Sequence, residues 1–212
     1  MSTLFFKRFL TRPMQVASIV PSSKQLIRRV SSKFDFSEPR VIAEYGPGEG
    51  CHTREIVQRM HPKSTLFLFE LDPELANHLR HQFRHDSRIH VLNTNANNIS
   101  AELQKQGVEH CDYIVSGIPF STMEINTKRT LLQKTFDALV PKDTSAFIIY
   151  QVTNELRQHA TMFPHADSEY CLQNIPPMFV TVFHKLPRNG HNGHNGHSHT
   201  NGKNHGNGNG KH

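Results

Sequence analysis

The segment Glu44-Tyr45-Gly46-Pro47-Gly48-Glu49-Gly50 constrains this chain more than any other, because it sets three glycines at alternate positions directly behind an apolar, β-type run, RVIAEY. Of the twelve glycines in the sequence, five lie before the C-terminal tail, and three of those five are here. Glycine lets the backbone turn tightly and approach a ligand closely. The helix that opens behind the loop, carrying Thr53, Ile56, Val57 and Met60, presents free N–H groups at its first turn. Twenty residues past Gly50 a second apolar run, TLFLFE, ends in Glu70, where a carboxylate can hold two ribose hydroxyls. Strand, glycine loop, helix, strand and acid in this order read as a nucleotide-like site. The competing reading is a glycine turn that only packs a helix on a sheet.

Two ligand classes fit such a loop. A dinucleotide site has the pattern G-x-G-x-x-G, and here Cys51 stands where its third glycine belongs. The pattern present is acid-x-G-x-G-x-G, with Glu44 two residues before Gly46. That arrangement suits S-adenosylmethionine, whose ammonium and sulfonium are cationic and which has no pyrophosphate for a carboxylate to repel. No metal is required by this reading.

The rest of the chain supplies the sheet around the loop. Apolar runs at residues 40–45, 65–70, 89–93, 112–116 and 146–151 alternate with amphipathic stretches, among them 74–83 and 127–139, which is the pattern of a parallel α/β sheet. Runs at 170–175 and 179–184, separated by Pro176 and Pro177, predict an antiparallel hairpin that closes it. The expected fold is therefore a Rossmann-like, seven-stranded, mostly parallel sheet with a C-terminal antiparallel hairpin and N-terminal amphipathic helices. Charge divides the chain further. Residues 1–34 carry seven Lys or Arg and no acid, residues 35–187 carry fourteen bases against eighteen acids, and the tail adds three bases. Three regions follow: a basic amphipathic segment over 1–34, the ligand-binding domain over 35–187, and an Asn/Gly/His-rich tail over 188–212 that is expected to be disordered. Cys51, Cys111 and Cys171 lack the spacing of a disulfide framework or a zinc site, and no run approaches the roughly 20 apolar residues of a membrane span. A reducing, cytoplasmic setting is expected.

Taken together, EYGPGEG, FELDPELANHL, NTNANNI and DYIVSGIPFS resemble the class I S-adenosylmethionine-dependent methyltransferases. The similarity spans residues 1–187 and is greatest to two groups, the bacterial phospholipid N-methyltransferases and the rRNA adenine dimethyltransferases. The resemblance implies that Glu44 and the loop Gly46, Gly48 and Gly50 face the methionine part of the cofactor and that Glu70 takes the ribose, with Leu71 beside it. It places Asn95 and Ala96 against the adenine and adds Ser116 to the cofactor set. The family usually has Asp at the position of Asn95; an amide oxygen can still accept from the adenine amine.

The loop behind the fourth strand separates the two groups. The rRNA enzymes carry Asn-Leu-Pro-Tyr there, the Asn to orient the target amine and the aromatic ring to stack on a flipped base. This chain has Gly117-Ile118-Pro119-Phe120 after Ser116, without the amide. A nucleobase amine is a poor nucleophile that needs such help, whereas the sp³ amine of a lipid is nucleophilic once deprotonated. Ser116, Gly117, Ile118, Pro119, Phe120 and Tyr150 are thus the acceptor-pocket candidates, and the catalytic base is not identified. Phe120 could set a π face near an ammonium product, or pack in the core. The N-terminal stretch LFFKRFLTR gathers apolar residues on one helical face and bases on the other, as an interfacial helix on anionic lipid does. Residues 22–34 continue the theme: Ser22 and Gln25 have capping-box spacing, and Leu26, Ile27, Val30 and Phe34 form an apolar stripe opposite Lys24, Arg28, Arg29 and Lys33. NIPPMFV at 174–180 resembles the phospholipid enzymes' Asn-Leu-Pro-Pro segment. The expected activity is N-methylation of a lipid head-group amine, phosphatidylethanolamine foremost, by a protein peripheral on the inner membrane face. The alternatives are an rRNA adenine-N6 methyltransferase, an ornithine-lipid N-methyltransferase and a non-catalytic membrane-binding module. Anionic membrane and lipid are the expected partners, with nucleic acid disfavoured and no obligate protein partner implied. His52, His78, His81, His85 and His90 are read as a solvated surface.

Overall fold

A computed structural model describes residues 22–186 of the chain. The basic stretch before Ser22 and the tail after Leu186 lie outside the described residues, and with them the interfacial helix and the disordered tail expected from sequence.

The elements in order are α1 (Lys24–Ser31), β1 (Val41–Tyr45), α2 (Cys51–Arg59), β2 (Thr65–Phe69), α3 (Pro73–Gln82), β3 (Ile89–Leu92), α4 (Ile99–Lys105), β4 (Tyr113–Ser116), α5 (Ile125–Ala138), β5 (Ala146–Gln151), α6 (Leu156–His159), β6 (His165–Cys171) and β7 (Met178–His184). The seven strands form one sheet in the order β3-β2-β1-β4-β5-β7-β6. The five strands from β3 to β5 run parallel, and β7 is antiparallel to both of its neighbours. The order reverses direction between β1 and β4, which leaves a crevice beyond the carboxyl ends of those strands, the place where open α/β sheets bind ligands. Every expected parallel strand is present within a residue or two.

The central strands read as unbroken apolar runs because both faces of the sheet are covered. On one face Leu26 and Val30 of α1, Ile56 of α2 and Leu79 of α3 pack on Ile42, Leu68, Val115 and Ile148; on the other, Ile99 and Leu103 of α4 with Leu131 and Leu132 of α5 pack on Ala43, Tyr45, Ile114 and Phe147. Asp112 ties the foot of this sheet: its carboxylate accepts the Val41 N–H at 2.8 Å and lies 3.6 Å from Arg40.

Two details differ from the sequence reading. The first hairpin strand lies at His165–Cys171, not at 170–175, and residues 172–177 form the turn. Its sequence, HADSEYC, is mostly polar because β6 is the sheet edge, so hydrophobicity gave no signal there. The cap of α1 is Ser23, whose hydroxyl accepts the Leu26 N–H at 3.1 Å, while Ser22 turns to His52 instead.

Candidate active site

The glycine loop is built as its sequence implies. Gly46, Gly48 and Gly50 all have positive φ, at 64°, 59° and 77°, a conformation that a side chain would strain. Gly46 donates its N–H to the Phe69 carbonyl at 2.9 Å, tying the loop to the end of β2, and Gly50 caps α2 without help from any side chain. A Cβ at Gly48 would meet nothing within 4 Å, so the loop opens onto free space there.

Two carboxylates flank that space. Glu70, just past β2, accepts the Gly48 N–H at 3.1 Å and the Asp72 N–H at 2.9 Å, so its two oxygens are aligned between the loop and α3. Glu44 lies deeper, 1% exposed, and accepts the Thr53 hydroxyl at 2.7 Å. Burial, with Glu70 nearby, pushes its carboxyl up to about 7 despite the Thr53 hydrogen bond. Leu71, next to Glu70, is 68% exposed, an apolar surface beside a ribose-type carboxylate. Asn93 Nδ2 donates to the Glu70 and Leu71 carbonyls at 2.9 and 3.1 Å and fixes this corner. Asn95 caps the short turn Ala96–Asn98 by accepting the Asn97 N–H at 2.9 Å; its second lone pair and amide group remain for a ligand. The structure therefore brings together Glu44, Gly46, Gly48, Gly50, Glu70 and Leu71, with Asn95 and Ala96 one strand away at the same edge. A glycine cradle with open space, two acids and an apolar shoulder fits S-adenosylmethionine and its cationic end.

Across the crevice, side chains shape the acceptor loop. Gly117 donates its N–H to the Tyr45 carbonyl at 3.0 Å, and Ser116, fully buried, accepts the Ile118 N–H at 3.2 Å. A Cβ on Gly117 would sit 2.5 Å from the Tyr150 hydroxyl and 3.2 Å from the Gly46 carbonyl. The glycine is there for room, since any side chain collides. Phe120 is a correction: it is 0% exposed and packs edge-on to Phe147 with ring centres 6.1 Å apart, so it belongs to the core and not to the pocket wall. Its neighbours in the loop, Ile118 and Pro119, stay half-buried at the crevice.

Two residues here escaped the sequence reading. His52, placed there with the surface histidines, is 4% exposed and stacks on Tyr150 with ring centres 4.2 Å apart; its Nε2 is 2.9 Å from the Ser22 hydroxyl. Burial drives its pKa down to about 3, so the ring is neutral at working pH. The available clue was its position, one residue into the helix behind the glycine loop. Gln151, 7% exposed at the end of β5, donates Nε2 to the Ile118 carbonyl at 3.0 Å, while its Oε1 finds no partner among the described residues. A polar residue at the carboxyl end of a parallel strand was the signal for it. His78, His81 and His85 are exposed as expected.

The family model of the ribosomal RNA adenine dimethylases matches residues 21–165 of the chain. A curated ornithine lipid N-methyltransferase from Singulisphaera acidiphila is 28% identical over 174 residues, which is 82% of this chain and 91% of that protein. Among solved structures, precorrin-6y C5,15-methyltransferase from Geobacter metallireducens superposes with a TM-score of 0.58 at 12% identity, over 77% of this chain and 89% of the other. TrmN from Thermus thermophilus gives 0.58 at 16% identity, over 75% and 48%. At these identities the structural likeness speaks for the fold alone.

Proposed function

Because this chain belongs to the ribosomal RNA adenine dimethylase family and is an S-adenosylmethionine-dependent methyltransferase, we propose that its acceptor is the primary amine of a membrane lipid head group. The observation that carries the reading is Gly117. In an enzyme acting on adenine this position holds the amide that orients a weakly nucleophilic amine, and here the Tyr150 hydroxyl already fills the place such a side chain would start from. An sp³ amine needs no such amide. The lipid-methylating relative, similar along nearly its whole length, supports the same acceptor chemistry and moves ornithine lipid ahead of phosphatidylethanolamine.

When bound, the cofactor supplies a methyl carbon on cationic sulfur. The chain's share is to hold that group and the amine in line and away from water, a positioning that can remove about 7 to 11 kcal/mol of a barrier. The glycine loop, Glu70 and Leu71 hold the cofactor, and Glu44, ionised against its ammonium, holds the methionine end. Gln151 Oε1, a buried acceptor without a partner among the described residues, takes an N–H of the incoming amine, and its Nε2 keeps Ile118 in place. Neutral His52 and the Tyr150 hydroxyl give a wall without a fixed cation, so a more highly methylated, cationic amine is not repelled. Neither is a good base at neutral pH, and the amine's proton leaves to water or to the lipid's own anionic group. The protein works as a peripheral enzyme on the inner face of the membrane; among the described residues no helix is long and apolar enough to cross one.

A radiolabelled-methyl assay offering ornithine lipid, phosphatidylethanolamine and unmodified rRNA in parallel tests this. Label in the lipid phase is expected, with ornithine lipid labelled at least as well as phosphatidylethanolamine. Label confined to rRNA overturns the proposal.

A further inference from the structure

Six large apolar side chains are exposed among the described residues: Leu71, Val152, Tyr170, Leu172, Ile175 and Leu186. Five of them lie at one edge of the molecule. Leu71 follows the end of β2 and Val152 the end of β5; Tyr170 is in the last turn of pairing of β6, and Leu172 and Ile175 are in the turn to β7. The register places Val152, Tyr170, Leu172 and Ile175 together, since Gln151 pairs with Phe179, and Phe179 with Tyr170, in one row across the sheet, while Leu71, behind β2 and three strands from β5, shares only the same end of the sheet. This row is at the carboxyl ends of the parallel strands, where the glycine loop, Glu70 and Gly117 also lie. Exposure rises toward the turn, to 67% at Leu172 and 84% at Ile175. A soluble protein rarely gathers its exposed large apolar residues at one rim without a partner for them.

Cations stand beside the same rim. The Asn174 side chain, fully buried within the turn, accepts the Ser23 N–H at 2.8 Å, which pins the start of α1 to the hairpin. Lys24 and Arg28 on α1 are exposed and have no acidic partner among the described residues, whereas Arg29 and Lys33 are held by Glu169 at 3.3 and 2.8 Å. The chain before Ser22, with three further bases and no acid, joins at this point. Apolar side chains at a tip with free cations behind them match the layering of an anionic bilayer, with acyl chains inside and phosphates at the surface. A nucleic acid would use the cations but gives Leu172 and Ile175 nothing to bury in.

We propose that this edge is a membrane-docking face: Leu172 and Ile175 on the β6–β7 turn insert into the interface of an anionic bilayer, Val152 and Tyr170 rest on it, and Lys24 and Arg28 meet lipid phosphates. The acceptor loop then opens directly into the head-group layer. The biological purpose of the face rests on the lipid-amine reading; the docking itself does not need a methylatable lipid.

The sequence has no tryptophan, so a single introduced one reports its own surroundings. Full-length Ile175→Trp is mixed with vesicles of phosphatidylcholine and phosphatidylglycerol, neither of which has a primary amine. The emission is expected to shift to the blue and to be quenched by brominated acyl chains, while Leu186→Trp, at the far end of β7, stays unchanged. In co-sedimentation, Leu172→Ser/Ile175→Ser is expected to lose at least about ten-fold in vesicle affinity, the scale of two partly buried apolar side chains. Lys24→Glu/Arg28→Glu is expected to lose a similar factor only when phosphatidylglycerol is present, and both variants should still bind S-adenosylhomocysteine. Unaltered emission at position 175 while the protein sediments with vesicles overturns the proposal. So does a shift that needs rRNA in place of vesicles, or one that appears with protein concentration alone, which would assign the face to nucleic acid or to a second copy. Docking with no methyl transfer to any lipid would instead retain this face and reject the lipid acceptor.

Discussion

The two sides of the crevice reach their shapes by different means. On the proposed cofactor side the groups that line the crevice are backbone N–H groups and carboxylates fixed within a few residues of a strand end: three positive-φ glycines behind β1, and Glu70 behind β2 held by the Gly48 and Asp72 amides. On the acceptor side the loop behind β4 is set from afar, by Tyr150 of β5 against Gly117, by Gln151 on the Ile118 carbonyl and by His52 of α2 stacked on Tyr150. Local geometry suits a ligand common to a whole family. Contacts between distant side chains can be rebuilt for each acceptor without disturbing the cradle.

The sharpest test of that contrast is Gly117→Ala. Its methyl is forced against the Tyr150 hydroxyl, and turnover with a lipid acceptor is expected to fall about 100-fold, the scale of a misplacement of roughly 1 Å. Adding Tyr150→Ala should recover at least a tenth of the loss, a coupling within the range of about 0.5 to 3 kcal/mol seen for residues in contact. A double variant no better than the single one would mean that the loop is not set by Tyr150. Glu70→Ala probes the other side: calorimetry should show S-adenosylmethionine binding weakened by about 1.5 to 3 kcal/mol, with turnover at saturating cofactor retained. Equal losses in binding and turnover would erase the division between the two sides.

The smallest effect is a stability signature of the cradle. Glu44 has its pKa raised by burial from 4.5 to about 7, so the native state binds a proton more tightly than the unfolded chain. Its favourable share is complete below about pH 4.5 and is lost as pH rises through about 7, because the unfolded chain ionises freely while the buried carboxylate cannot. Glu44→Gln can still accept from Thr53, and thermal unfolding should find it more stable than the parent by about 3 kcal/mol at pH 8 and no more stable at pH 4. A difference independent of pH would place the cost elsewhere than in the charge.

The same contrast decides what was legible beforehand. The loop 44–50, Glu70 and the five parallel strands could be read because glycine spacing and continuous apolar runs are written in neighbouring residues. β6 could not be placed correctly, since an edge strand with the sequence HADSEYC carries no buried face to announce it. Phe120 could be read from its place in a motif as pocket or as core, and only its packing on Phe147 decides for the core. His52 looked like its exposed counterparts, and its burial comes from Tyr150, almost a hundred residues away in the chain. Gln151 and the rim at Leu172 and Ile175 depend on strand order, which no local pattern states.

The close fit of Gly117 to Tyr150 also gives mutation a direction. A chain that first gains a side chain at 117 passes through an overlap with a phenol held in place by His52, and a library varied at 117 alone should return glycine almost exclusively. A chain that first exchanges Tyr150 for a small residue clears the space, and a second change at 117 then becomes tolerable. The two positions act as a latch that opens from one side only, so any route between acceptor loops with and without an amide at 117 passes through position 150 first.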